Sequence, residues 1–330
     1  MKTLSYLSAV VVLSGMFTGC SGGQETTKPK TGGTWTSTTE SPSDSTIKPV
    51  IELTIEEKIA SIADQYQVKV GVLARNLKSG KSIAINSRER IPVTSMIKVP
   101  VVAAWYQAVN DGLLKADAKT TLSPKDKVAG SGDIQFLDGN YAFLLSDLAK
   151  LTIIASDNVA TNVVIDQFGK DIQSQTGYVN EVMAKYGLTD TKLLNKFLRY
   201  DTKSNSDESK NFGVAYSTAA DLTTLAEKLY KGEIVSQEVS DQILTLMRNS
   251  NDDTMAPRFM PVDSPGFSLA HRSGGTFKLK GDFGLILFQD HVVSFAVICE
   301  NQADEKKTIE NNGIIATGII TKMLFDELTR

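Results

Sequence analysis

Between residues 50 and 330 the strand-like segments sit near the two ends and the middle is helical, an order that few architectures accommodate. Val68–Leu77 reads as a strand, turned by Lys78-Ser79-Gly80 into Ser82–Asn86 as a hairpin. Ser268–Arg272, Phe283–Phe288 and Val292–Cys299 are the strand signals near the other end. From Thr94 to about Val214 the apolar spacing is helical. Leu144, Leu148, Leu151 and Ile154 fall on one stripe, and Val159, Val163, Val164 and Phe168 on another, stopped by Gly169. Thr54 with Glu57 makes a capping box for a first helix, whose Ile55, Ile59, Ile62 and Tyr66 share a face. Ser217-Thr218 caps a helix running through Leu229, and Ile315, Ile319, Ile320, Met323 and Leu324 mark a last one. Strands that bracket a helical insert predict an α+β fold. An antiparallel sheet is covered by the terminal helices, and the middle forms a helical subdomain.

Residues 1–20 carry a different pattern: Lys2 precedes an apolar run from Leu7 to Phe17, closed by Phe17-Thr18-Gly19-Cys20. The run is shorter than the ~20 residues of a membrane span and reads as an export signal. Residues 21–49 are rich in Thr, Ser, Gly and Lys and nearly free of apolar side chains, which predicts a disordered tether. Residues 50–330 then form the folded domain. A net charge of −3 with interspersed signs leaves no basic footprint for nucleic acid. Cys299, inside an apolar strand, reads as a buried small hydrophobe. Two His and two Cys in the whole chain argue against a zinc site, and no metal or other cofactor is expected.

Three short patches carry the chemistry: Ser95-Met96-Ile97-Lys98, Ser156-Asp157-Asn158 and Arg272-Ser273-Gly274. The first puts a hydroxyl and an amine three residues apart, on one face of a helix. The second offers a hydroxyl and a carboxamide at a helix start, where Ser156 reads as the cap. The third offers a fixed cation, a hydroxyl and a glycine. Serine is a poor nucleophile unless something takes its proton, and Lys98 can do so only as a free amine. That requires its pKa to be lowered by desolvation or a nearby cation, for which Arg272 is the candidate. Each patch alone is a common run; three in this order point to acyl transfer through serine.

The set resembles class A β-lactamases and the small penicillin-binding proteins built on the same fold. Ile91-Pro92-Val93-Thr94 before Ser95, Gly130-Ser131-Gly132, Asp157–Asn162 and Leu269–Gly275 carry the resemblance, which covers roughly residues 50–330. It implies a five-stranded sheet with the site at the seam between the two halves, and Ser95 as nucleophile with Lys98 as base. Ser156 would pass a proton to the leaving nitrogen, Asn158 would hold Lys98 and a substrate carbonyl, and Asp157 would pin the loop. Arg272, where the family usually has lysine, and Ser273 would bind a substrate carboxylate. Gly274 and Gly275 would let the strand edge approach the ligand, with the amides of Ser95 and Gly275 as the oxyanion hole. The implied substrates are β-lactams or D-Ala-D-Ala-type peptidoglycan stems, taken by a monomer. The small residues before Cys20 resemble a bacterial lipobox, implying lipidation of Cys20 and a membrane lipoprotein facing the cell wall or periplasm.

One departure stands against that pattern. Efficient class A enzymes use an omega-loop glutamate to activate the deacylating water, and the implied alignment puts Phe197 there, with Asp201 near the following asparagine. Asp201, Asp207 and Glu208 are the nearby carboxylates. Slow deacylation is therefore expected, as is a D,D-carboxypeptidase alternative. A non-catalytic lipoprotein that binds β-lactams or peptidoglycan is a third reading. A Ser-His-Asp hydrolase would have to use His271 or His291, and residues 50–330 contain no Gly-x-Ser-x-Gly elbow.

Overall fold

The computed structural model describes residues 52–330, which form one compact unit. The expected leader, Cys20 and tether lie outside the described residues. Helix α1 (Ile55–Tyr66) starts at Thr54, whose capping box with Glu57 is formed as the sequence predicts. Strands β1 (Lys69–Asn76), β2 (Ser82–Ile85) and the short β3 (Ile91–Pro92) follow, then a 3-10 turn over Thr94–Ile97 that runs into α2 (Lys98–Asn110). A small ribbon, β4 (Lys119–Leu122) with β5 (Tyr141–Leu144), leads to α3 (Leu145–Ile154), α4 (Asn158–Asp166) and α5 (Ile172–Lys185). Next come β6 (Lys192–Leu193), α6 (Asp207–Phe212) and β7 (Ala215–Ser217), with β3, β7 and β6 pairing as a second small sheet. After α7 (Ala219–Tyr230) and α8 (Gln237–Arg248) the chain returns as β8 (Ser268–Gly275), β9 (Leu279–Phe288) and β10 (His291–Glu300), and closes with α9 (Asn312–Leu328).

The main sheet has the order β2-β1-β10-β9-β8 and is antiparallel throughout. The α+β expectation, with five strands and a helical middle, is what the chain adopts. Because β1 and β10 are central, both their faces are covered, and period-2 alternation sends their apolar residues into two different cores. Val293, Phe295, Val297 and Cys299 face Ile59, Ala316, Ile320 and Leu324 of the terminal helices. Val292, Ala296 and Ile298 face the helical subdomain. The stripe of α9 is rotated from the one read in the sequence: Ala316, Ile320, Leu324 and Leu328 are buried, while Ile315, Ile319 and Met323 are half-buried flanks. Ile320 and Leu324 belong to both stripes, and Ala316 and Leu328 complete the buried one. Strand β8 is an edge, and its free side meets the 3-10 turn that opens α2.

Candidate active site

Ser95 lies in the 3-10 turn Thr94–Ile97, and Lys98 is the first residue of α2 directly after it. In a 3-10 turn positions i and i+3 fall on the same side, a spacing that suits the Ser95–Lys98 pair. Thr94 takes a left-handed φ of +42°, a strained conformation for a β-branched residue, in order to enter that turn. Pro100 falls in the first turn of α2, where its missing N–H leaves no helix bond unmade. Strand β8 approaches this turn at Gly274, where an added Cβ would lie 3.0 Å from the Ser95 amide nitrogen and 2.6 Å from Thr94 Oγ1. Only glycine fits that approach.

The second patch sits between α3 and α4. Asp157, rather than Ser156, is the N-cap of α4: its carboxylate accepts the Ala160 amide at 2.8 Å and the Ile134 amide at 3.0 Å. Ser156 precedes the cap in a left-handed conformation, φ +53°, with its hydroxyl and carbonyl aimed at Lys98. The Ala129–Ile134 loop is clamped over this corner. Asn158 donates its side-chain amide to Ala129 O at 3.1 Å and its backbone amide to Ser131 O at 3.0 Å. Gly132, at φ +94°, packs so tightly on Asp157 that a Cβ would come within 2.2 Å of it.

Lys98 is fully buried, and three groups meet its amine: Ser156 O at 2.5 Å, Asn158 Oδ1 at 2.7 Å and Ser156 Oγ at 3.2 Å. Two of these are pure acceptors, matching the two hydrogens of a neutral amine, and the hydroxyl can donate to its lone pair. Burial drives the amine's pKa well below its usual value of 10.5; the nearby Arg272 cation adds to this, and the Asp157 carboxylate opposes it. The Phe197 ring lies 4.4 Å from the amine. Its backbone is fixed by Asn162, which donates to Phe197 O and accepts from Phe197 N, both at 2.8 Å. Asn162 holds this segment in place, and the sequence signal for it was a buried amide one turn after Asn158.

Arg272 is buried on the face of β8 that meets the helical subdomain. It donates Nη1 to Ile153 O at 2.6 Å and Nε to Ser273 O at 3.0 Å. Longer contacts run from Nη1 to Ser250 Oγ at 3.4 Å and from Nη2 to Ser273 Oγ at 3.3 Å. Ser273 in turn donates its hydroxyl to Asp252. A cleft of about 210 Å³ is walled by Ser95, Ser131, Ser156, Asp252, Arg272 and Gly275, among others. Ser95, Ser156, Arg272, Ser273, Gly274 and Gly275 thus share one cleft, with Lys98 behind it bonded to both Ser156 and Asn158. A larger groove of about 690 Å³ beside Tyr106 and α8 shares none of these residues.

The other carboxylates are engaged elsewhere. Asp201 is gripped by Arg199 at 2.9 and 2.7 Å, which pulls its pKa down to about 2. Asp207 faces solvent beside Lys210, and Glu208 accepts the Tyr216 hydroxyl at 3.1 Å. None of the three lines the cleft. His271 bonds Asp282 at 2.9 Å, and alternation along β8 turns it to the face opposite Arg272. It does not wall the cleft either. Cys299 is free and buried, which pushes its thiol up to about 12. Reading the sequence missed Asn251, Asp252 and Met255 as cleft residues, because Asn251-Asp252-Asp253-Thr254 has the composition of any polar loop.

A family model described as the beta-lactamase enzyme family matches residues 54–326, and the chain belongs to that family. Its relatives are remote. Beta-lactamase ROB-1 of Haemophilus influenzae is 28% identical over 120 residues, 36% of this chain and only 38% of the relative's length. Beta-lactamase VEB-1 of Pseudomonas aeruginosa is 21% identical over 277 residues, 79% of this chain and 86% of the relative. A beta-lactamase structure from Sphaerobacter thermophilus superposes with a TM-score of 0.72 at 26% identity, covering 83% of this chain and 96% of that one. A mutant of PBP-A, solved as an acyl-enzyme complex with penicillin G, superposes with a TM-score of 0.70 at 23% identity over 83% of this chain and 96% of that one.

Proposed function

We propose that this chain is a serine acyl-transfer hydrolase that opens β-lactam amides through Ser95 and releases the product slowly. The observation that carries the reading is Lys98, an amine with no exposed surface, a neighbouring cation and a lowered pKa. As a free amine it takes the Ser95 hydroxyl proton while Oγ bonds to the substrate carbonyl carbon. The resulting oxyanion is met by the amides of Ser95 and Gly275. As the tetrahedral centre collapses, the carbon–nitrogen bond breaks and the leaving nitrogen takes the Ser156 hydroxyl proton, which the Lys98 ammonium replaces. The product is an ester on Ser95, and Lys98 is again neutral.

Deacylation repeats the sequence with water, and here the reading turns slow. The ring of Phe197 lies against the amine where a carboxylate would be needed to orient and deprotonate that water. General-base assistance contributes roughly 10²–10⁴-fold, so its loss leaves the ester long-lived. The same observation favours a second reading, a D,D-carboxypeptidase acting on peptidoglycan stems, in which rapid β-lactam turnover has no role. Intact-mass spectra after exposure to penicillin G test the first step: a stable adduct is expected, absent in Ser95→Ala. A chromogenic cephalosporin should give a stoichiometric burst and then slow turnover. No adduct after long exposure would overturn the proposal; fast, burst-free turnover would overturn its slow step. Hydrolysis of D-alanyl esters faster than that of β-lactams would select the peptidase.

In the same proposal Cys20 is lipidated and the domain works at the outer face of a membrane, as the leader pattern suggests. Release of a Cys20→Ala variant into the medium would agree; a fully soluble wild type would refute it.

A further inference from the structure

Asp252 lies within the cleft, yet acylation through Ser95 gives it no task. It belongs to the loop that follows α8. One carboxylate oxygen accepts the Ser273 hydroxyl; the other accepts the Thr254 hydroxyl at 2.6 Å and its backbone amide at 3.0 Å. Partial burial favours the protonated acid, but the bonds from Ser273 and Thr254, with the Arg272 charge, outweigh it and keep the group ionised below its usual pKa. Lys280 donates its ammonium to Thr276 O at 2.9 Å, and the Asp252 charge opposes the burial that lowers its pKa. An anion is thus built into the part of the cleft that holds the fixed cation.

Ser273 has a single hydroxyl hydrogen, and Asp252 holds it. Arg272 has five N–H groups; its contacts to Ile153, Ser250 and twice to Ser273 leave one hydrogen on Nη2. A substrate carboxylate arriving at Arg272 and Ser273 meets a second carboxylate and, on those two residues, a single unspent donor hydrogen. What the subsite still offers in quantity is acceptor capacity, on Asp252 itself. Like charges brought together in a partly desolvated site disfavour the complex strongly.

Resting on the reading that Ser95 is acylated, we infer that Asp252 is a specificity-determining residue, a resident competitor for the Arg272–Ser273 clamp. It shifts preference toward substrates whose group beside the scissile amide is neutral or donates hydrogen bonds, such as an ester, a carboxamide or an ammonium. Free acids react only after displacing it from Ser273.

The test compares penicillin G with its methyl ester by rate of adduct formation. Wild type should take the ester at least as fast as the acid; a wild type that strongly prefers the acid overturns the inference without any variant. In Asp252→Asn the acid-to-ester rate ratio should rise about tenfold or more, and Asp252→Ala, which cannot rebuild the bond to Ser273, should give the same sign. An unchanged or falling ratio, or an equal loss on both compounds, overturns it and leaves Asp252 as a brace for Ser273. Binding of the two compounds to Ser95→Ala, with and without Asp252→Asn, reads the same ratio in dissociation constants. If wild type forms no adduct at all, the acylation proposal fails, while this binding ratio still decides the role of Asp252.

Discussion

Two buried basic side chains serve the cleft, Lys98 behind it and Arg272 in its wall, and the protein treats them differently. Lys98 is fully buried and Arg272 is 3% exposed. Around Lys98 the fold supplies two carbonyls, a hydroxyl and an aromatic ring, and the closest carboxylate, on Asp157, is spent on backbone amides. Around Arg272 it supplies carbonyls and hydroxyls, with the carboxylates of Asp282 and Asp252 near enough to favour its charge. The contrast follows from what each side chain can do when desolvated. Lysine can shed its proton and survive burial as a neutral amine, which makes it a base. Arginine cannot, so its charge needs acceptors and a counter-ion. The reactive side chain is therefore the one denied a counter-charge.

Five substitutions test how far this contrast goes. Lys98→Arg keeps a cation but removes the option of deprotonation, and should slow acylation by about 10²–10⁴-fold, read from adduct formation. If Lys98→Arg acylates normally, the neutral-amine account fails. Phe197→Glu gives Lys98 a carboxylate neighbour and the cleft a base. Deacylation, measured by loss of the adduct, should accelerate by roughly 10²-fold or more. The same change raises the Lys98 pKa, since an opposite charge favours the ammonium, so the acylation step should need a higher pH.

Arg272→Ala probes the coupling between the two side chains. Acylation requires unprotonated Lys98, so its rate rises with pH through the Lys98 pKa and then levels. After burial, Arg272 is the next cause holding that pKa down. Removing it should move the rising limb to higher pH and slow acylation of free acids by about tenfold. Arg272→Lys should hold the limb near its wild-type place. The smallest effect belongs to Asp201→Asn: with Asp201 exposed and forked by Arg199, turnover should change by less than about twofold. A large loss there would show that the segment after Phe197 reaches the cleft during the reaction.

The sequence made some of this plain and hid the rest for identifiable reasons. The Thr54–Glu57 capping box and the antiparallel sheet were readable because each depends on residues close in sequence or on a period. The cap of α4 was misplaced by one residue, since Ser156 and Asp157 are both good caps and only the left-handed turn at Ser156 decides between them. The isolation of Lys98 was readable as a requirement of its chemistry, but Phe197 as its neighbour needed the resemblance as well as the residue type. Asp252 could not be found, because its partner Ser273 lies across a strand that no local pattern links to that loop.

The pairing of β1 with β10 also sets a clock. Lys69 lies opposite Glu300 and Asn76 opposite Val293, so the first central strand waits for a partner made more than 200 residues later. At synthesis rates of about 5–20 residues per second, that wait is roughly 10–45 s. Until then β1 has only its hairpin partner β2, and the face of the sheet that receives α9 cannot close. During that interval the apolar strand residues Val70, Val72 and Leu73 stay open to other unfinished chains or to a chaperone. Delivery of the last two strands and α9, rather than any local step, decides when this enzyme can begin to exist as a folded body.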